Sequence, residues 1–198
     1  MSMAKGGEKN TIVGELVPSL SSLHNFHFSS SLKMTPEELL EAYYYQGLNK
    51  GDSGELLLKE ILEEDIKFRG VFGHKSKRGV QAVLDYFRAA RNALGKYTFE
   101  IEDMIVSKDD TKASVRVVCR GVHKNNFFGV QGSGHEVHFT AAAFFQFRKT
   151  DKLRISEFVV VGNLDELKRQ IGADTSHDVA FQIPTSIDVP SSSSTMES

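Results

Sequence analysis

Few side chains in this 198-residue chain can move a proton or orient a polar ligand. Tyr43, Tyr44 and Tyr45 are consecutive, His123 ends an alternating run, His135 and His138 bracket Glu136 and Val137, and Asn163 follows a valine-rich stretch. An imidazole at the rim of an apolar face titrates near neutrality and suits a general acid or base. His123 and His138 are therefore the candidates for proton transfer. Three successive phenols point in different directions around a helix, so at most one or two can face a cavity, and Tyr44 is the one expected there. Asn163 can orient a ligand carbonyl or hydroxyl, or cap a helix. His135 and His138, three apart on a strand, fall on opposite faces. Nothing else has the ligand spacing of a zinc site, and no metal or cofactor is expected. Glycine-rich phosphate loops, a serine nucleophile elbow and a recognisable Cys–His pair are missing from the sequence, which argues against phosphoryl transfer and acyl-enzyme chemistry.

The elements that must position these groups begin at Thr35-Pro36-Glu37-Glu38, a cap followed by proline and a capping-box glutamate. Leu39, Tyr43 and Gly47 then share a stripe beside Leu40, Tyr44 and Leu48. Ser53 is expected to cap a second short helix, Asp65 to Phe72 reads as a strand, and Val80, Val83, Leu84, Phe87 and Leu94 trace a third helix stopped by Gly95. After Gly95 the period changes to two. Strands are expected over 98–106, 113–123, 137–148 and 154–162, and a last helix over Asp165 to Ile171 closed by Gly172. In the third strand Val137, Phe139, Ala141, Ala143, Phe145 and Phe147 form an apolar face that belongs in a core. Helices followed by a strand meander indicate an α+β fold: a cone-shaped roll of strongly curved, mostly antiparallel sheet packed on about three helices and enclosing an apolar pocket. Residues 1–33 read as a disordered leader and 173–198 as a disordered Ser-rich tail, leaving one domain over 34–172.

A formal net charge of -2 and a pI near 6.4 give no basic field for nucleic acid or an anionic membrane. The lone Cys119 rules out an intrachain disulfide. No apolar run reaches the roughly 18 residues that span a bilayer. A cytoplasmic location is expected. The Ser-rich, acid-poor stretch Ser19 to Lys33 has some transit-peptide character, but it contains no Arg.

Arg120-Gly121-Val122-His123, followed by Phe128-Gly129 and Gly134, resembles the Arg-Gly-Thr-His strand end and Gly-containing loop of SnoaL-like polyketide cyclases, in the nuclear transport factor two-like superfamily. Phe144 to Arg148 with Lys152 to Glu157 resembles that family's last hairpin. Asn163, Leu167, Gln170, Ile171 and Gly172 resemble its closing segment. The resemblance covers about Thr35 to Gly172 and implies the cone fold. It also implies a small hydrophobic, polyketide- or cyclic ketone-like ligand and cofactor-free cyclisation, isomerisation or dehydration by acid–base chemistry. Where many relatives carry a general acid/base Asp, however, this chain has Asn163, and where many carry Trp it has Val159. An amide does not exchange a proton near neutral pH. In ketosteroid isomerases the position of Tyr44 holds an oxyanion-stabilising tyrosine, while the base position falls near Gly70. Proton transfer is accordingly assigned to His123 or His138 with Tyr44, and ligand contact to Asn163, Phe145 and Phe87. The alternative is a non-catalytic ligand-binding or dimerisation module. Superfamily members often pair through the exposed sheet face, so a homodimer is expected over Arg116, Arg120, Phe144 and Gln146.

Overall fold

A computed structural model describes residues 34–73 and 75–173; the expected leader, and the expected tail beyond Ala173, lie outside them. Helix α1 (Pro36–Glu41) starts as its sequence dictates. The Thr35 Oγ1 accepts from the Glu38 N–H at 3.3 Å, and the Glu38 carboxylate accepts from the Thr35 N–H at 2.9 Å. The chain then widens into a π-helical turn, Ala42–Gly47, tightens into a 3-10 segment, Leu48–Gly54, and enters α2 (Glu55–Ile61). Gly54 permits that sharp return: a Cβ there would lie 2.1 Å from the Gly47 carbonyl oxygen. Ser53 does not cap α2. Its hydroxyl donates to the Lys50 carbonyl at 2.9 Å, and the N-cap is Gly54 with no side-chain bond.

Helix α3 (Val80–Ala93) buries Val83, Leu84, Phe87 and Ala90. The Arg88 guanidinium ties it to α2, its Nε donating to Glu55 Oε1 at 2.7 Å. Gly95 does not stop this helix. The chain passes directly from Ala93 into strand β3 (Leu94–Val106), and Gly95 pairs with Val122 inside the sheet. Leu94 already has extended φ of -111° and ψ of 87°, so the junction needs no left-handed cap.

The remaining strands are β1 (Leu62–Arg69), β2 (Lys77–Arg78), β4 (Lys112–His123), β5 (Glu136–Lys149) and β6 (Leu153–Gly162). They form one open sheet in the order β2-β1-β6-β5-β4-β3. All neighbours are antiparallel except β1 and β6, which run parallel. The first strand lies earlier than its expected span, and β2 has no counterpart in the sequence reading. Register shifts in β3 and between β5 and β6 mark bulges, which bend strands and increase twist. Alternation works as expected: Val137, Phe139, Ala141, Ala143, Phe145 and Phe147 are buried against the helices, together with Val115, Val117 and Cys119 of β4. The fold is α+β.

Two carboxamides complete the sheet where strands lack partners. Asn49 donates to the Phe99 carbonyl and accepts from the Phe99 N–H, both at 2.8 Å, along the free edge of β3. Gln170 of α4 (Leu164–Ile171) does the same for His138, accepting from its N–H at 2.9 Å and donating to its carbonyl at 2.8 Å. Each side chain mimics a strand residue and fixes a helical segment to the sheet.

Candidate functional site

The helices and the concave face of the sheet meet around a small internal cavity of about 20 Å³. The π-helical turn delivers two of its walls. Its extra residue per turn brings both Tyr43 and Tyr44 inward, at 2% and 3% exposure, and leaves Tyr45 outside with its hydroxyl accepting from the Ile101 N–H at 3.1 Å. Helix α3 adds Tyr86 and Phe87, β3 adds Tyr97 and Phe99, and β4 to β6 add Val117, Cys119, Ala141, Phe145 and Val160. The rings pack edge to face: Tyr43 and Tyr44 have centroids 5.0 Å apart, Tyr43 and Phe145 5.6 Å, Tyr97 and Phe99 4.7 Å. Such contacts favour the quadrupoles of both rings and make a stiff wall.

Four phenols and one thiol are the polar groups among these side chains, and all five are held neutral. Burial drives the Tyr43, Tyr44, Tyr86 and Tyr97 hydroxyls well above the ordinary phenol range. Burial likewise pushes the Cys119 thiol up to about 12, against a smaller downward pull from its hydrogen bond with Tyr97. The Tyr86 hydroxyl accepts from the Phe72 N–H at 3.2 Å. Tyr43 and Tyr44 both turn their phenols into this aromatic box; the fully buried polar side-chain atoms without a partner among the described residues are Glu63 Oε1 and His123 Nε2. No carboxylate or imidazole lines the box.

The fold divides the residues singled out by sequence into two sets. Tyr44, Phe87 and Phe145 converge on the cavity. His123, His138 and Asn163 do not line it. His123 is fully buried on the inner face of β4, but it lies four residues beyond Cys119, roughly 13 Å along an extended strand. Its Nδ1 accepts from the Ser133 N–H at 3.3 Å, and its Nε2 is buried without a partner among the described residues. His138 is exposed, on the opposite face of β5 from Phe139 and Phe145. Asn163 is exposed and acts as the N-cap of α4, its Oδ1 accepting from the Glu166 N–H at 3.2 Å. The local cap chemistry prevails at that junction.

Tyr43, Tyr86, Tyr97 and Cys119 were missed. Tyr97 and Cys119 had a legible signal, since each occupies the inward parity of a strand. Tyr43 had one too, since it lies four residues after Leu39 on the apolar stripe of the first helix.

A larger hollow lies elsewhere. It is an open surface groove of about 570 Å³ lined by Lys59, Glu60, Glu63, Glu64, Lys152 and Arg154. Several of its charges already pair, as in Lys152 with Glu60 at 2.9 Å and Arg154 with Asp151 at 3.1 Å, and it contains none of the predicted residues. Among the described residues, no group of three or more His, Cys, Asp or Glu side chains is placed to hold a metal, and no helix is long and apolar enough to cross a membrane.

Solved structures share this architecture. A protein described as a SnoaL-like polyketide cyclase from Jannaschia sp. CCS1 superposes with a TM-score of 0.62 at 15% identity, over 74% of this chain and 97% of that one. A SnoaL-like polyketide cyclase from Agrobacterium tumefaciens gives 0.57 at 19% identity, over 70% and 99%. IdmH from Streptomyces antibioticus, described as a polyketide cyclase, gives 0.59 at 20% identity, over 71% and 100%. At these identities the likeness concerns the fold. No curated protein matches the chain. The family model for SnoaL-like polyketide cyclases matches residues 38–171, which spans both the tyrosine-lined cavity and the closing helix, and the chain belongs to that family.

Proposed function

We propose that the domain binds a small, uncharged, hydrophobic molecule bearing a hydrogen-bond acceptor, of the polyketide or cyclic ketone class, in the tyrosine-lined cavity. The observation that carries this reading is the convergence of two neutral phenols, Tyr43 and Tyr44, on one apolar cavity. Neutral phenols donate hydrogen bonds, but no cationic side chain lines the cavity to offset the desolvation of a buried carboxylate or phosphate, so the ligand is uncharged. Proton abstraction requires a base, and the nearest sequence candidates, His123 and His138, sit away from the cavity. Binding without turnover is therefore the better-supported reading over a cofactor-free cyclase, isomerase or dehydratase. A reducing, cytoplasmic setting accords with the single buried thiol.

The test is a titration with apolar fluorescent probes and with cyclic ketones, comparing the native chain with Tyr44→Phe. Loss of one donor hydrogen bond should weaken ketone binding about 5- to 15-fold, from about 1–1.5 kcal/mol, with little effect on an acceptor-free probe. Equal affinity for the ketone in both proteins would refute the assignment of Tyr44.

A second reading concerns assembly. Ile105, Phe144 and Val161, at 66%, 53% and 46% exposure, share the outer face of the sheet. Ile105, Ser114, Phe144 and Val159 are cross-strand neighbours in register, flanked by the Arg116–Glu102 and Arg120–Glu100 pairs. We propose that this face joins a second copy of the chain. Native mass spectrometry measures it directly, and a monomer at micromolar concentration would exclude a stable dimer.

A further inference from the structure

The cavity is too small for such a ligand. Its volume of about 20 Å³ holds roughly one water, whereas pockets for drug-sized ligands run to roughly 300–1,000 Å³. A route must open, and the aromatic contacts locate it. Phe72 packs on the cavity-lining rings of Tyr86 at 6.1 Å and Tyr97 at 6.5 Å. On its other side it meets Phe127 at 5.1 Å and Phe128 at 6.3 Å.

Phe127 and Phe128 belong to the β4–β5 connection. Bonds at its two ends hold that segment: the Lys124 and Asn125 N–H groups donate to the Ala93 carbonyl at 2.9 and 3.2 Å, and the Asn125 Nδ2 donates to the Asn92 carbonyl at 2.7 Å. Between them Phe127 and Val130 bond only each other, at 2.9 and 3.0 Å, in a tight hairpin with φ of 48° at Phe128 and 81° at Gly129. Among the described residues, no hydrogen bond joins residues 126–132 to the rest of the fold. Ring contacts alone hold the tip down, including Lys168 Nζ at 5.9 Å over the Phe128 ring.

His123 fastens the far end with four contacts. Its N–H donates to the His135 carbonyl at 2.9 Å, its carbonyl accepts from the Gly134 N–H at 2.8 Å, and its Nδ1 accepts from the Ser133 N–H at 3.3 Å and lies 3.2 Å from the Ser133 Oγ, the contact that Ser133→Ala removes. An Nδ1 that accepts from an amide leaves the proton of a neutral imidazole on Nε2, so the buried ring serves the loop. We propose that residues 124–135 form a lid, latched by His123, which swings off Phe72 to open the tyrosine cavity. This rests on the binding reading for its purpose, but its motion is testable without any ligand.

Cys119 lines the cavity and is the chain's only cysteine, so its trapping by methyl methanethiosulfonate reports opening. The experiment compares the native chain with Phe128→Ala and Ser133→Ala, both at exposed positions, and with His123→Gln, alongside urea unfolding of each. The lid predicts trapping about 5- to 20-fold faster in Phe128→Ala and Ser133→Ala at an unchanged unfolding midpoint, because sub-global opening is separate from global stability. His123→Gln should be faster still. Trapping rates within two-fold of the native chain, or rates that rise only in step with lost global stability, would overturn the lid. Accelerated trapping in a protein that takes up no probe would leave the lid standing and remove the binding reading.

Discussion

Asn49 offers the sharpest test of how the cavity is held. Its carboxamide makes two 2.8 Å hydrogen bonds to the backbone of Phe99, a residue 8% exposed. It stands five residues after Tyr44, on the 3-10 segment that continues the π-helical turn. Replacing it with leucine removes two hydrogen bonds, each worth about 1 kcal/mol, and leaves an N–H and a carbonyl partly desolvated, a further 0–2 kcal/mol or so. The expected loss is about 2–4 kcal/mol, which for a domain of this size lowers Tm by roughly 6–15 °C. Asn49→Asp separates the two bonds. It keeps the acceptor for the Phe99 N–H but turns a second oxygen toward the Phe99 carbonyl, so it should lose at least half of the leucine effect. Urea unfolding by circular dichroism measures both, and the ring contact of Tyr44 with Phe99, at 5.8 Å, predicts that ligand affinity falls with them. A leucine variant within about 0.5 kcal/mol of the native chain, the ordinary range for a surface change, would refute the claim that this carboxamide fixes the helical wall to the sheet.

Other consequences are quick to check. Arg88→Leu should destabilise the α2–α3 contact by about 1–3 kcal/mol by stranding the Glu55 carboxylate, and a double-mutant cycle with Glu55→Gln should recover part of it. Phe144→Asp should convert a dimer to a folded monomer by sedimentation velocity, since the side chain is 53% exposed, with Tm falling only by the lost contribution of association. Glu166 is held down to about 2, from an ordinary 4.5, by hydrogen bonds from Arg169 first and Gln170 second. Because its folded value is depressed, its contribution is full above pH 4.5 and lost as pH falls toward 2, so Glu166→Gln should flatten the acid limb of α4 melting monitored by NMR. Asn163→Asp should change stability by less than about 0.5 kcal/mol, because Asp caps as well as Asn, and should create no turnover; the appearance of cyclase activity would place that side chain in the cavity after all.

Much of the scaffold was legible because its signals are local or periodic. The Thr35–Glu38 capping box, the inward parity from Val137 to Phe147 and the Gly172 stop each follow from spacing a few residues long. The failures depend on contacts distant in sequence. Gly95 looks like a helix stop, yet the pairing of Leu94 with His123 draws the residue before it into a strand. Ser53 is a good cap by type, but its hydroxyl is consumed by the Lys50 carbonyl in the tightened segment. His138 and Phe145 lie seven residues apart on one strand and so face opposite ways, which parity alone would have revealed. The place of Asn163 was harder, because a strand-to-helix junction serves equally as a cap or a pocket wall until the direction of α4 is known.

The four tyrosines around the cavity differ in their partners. Tyr86 and Tyr97 have partners in the Phe72 N–H and the Cys119 thiol, so their hydroxyls contribute to the fold. The Tyr43 and Tyr44 phenols face a cavity with room for about one water, so their oxygens are not stranded. Phenylalanine would fill nearly the same volume, and the chain uses it at 14 positions. Tyr43→Phe and Tyr44→Phe should then each change stability by no more than about 1 kcal/mol while ketone affinity falls. A purely structural role predicts that both quantities fall together.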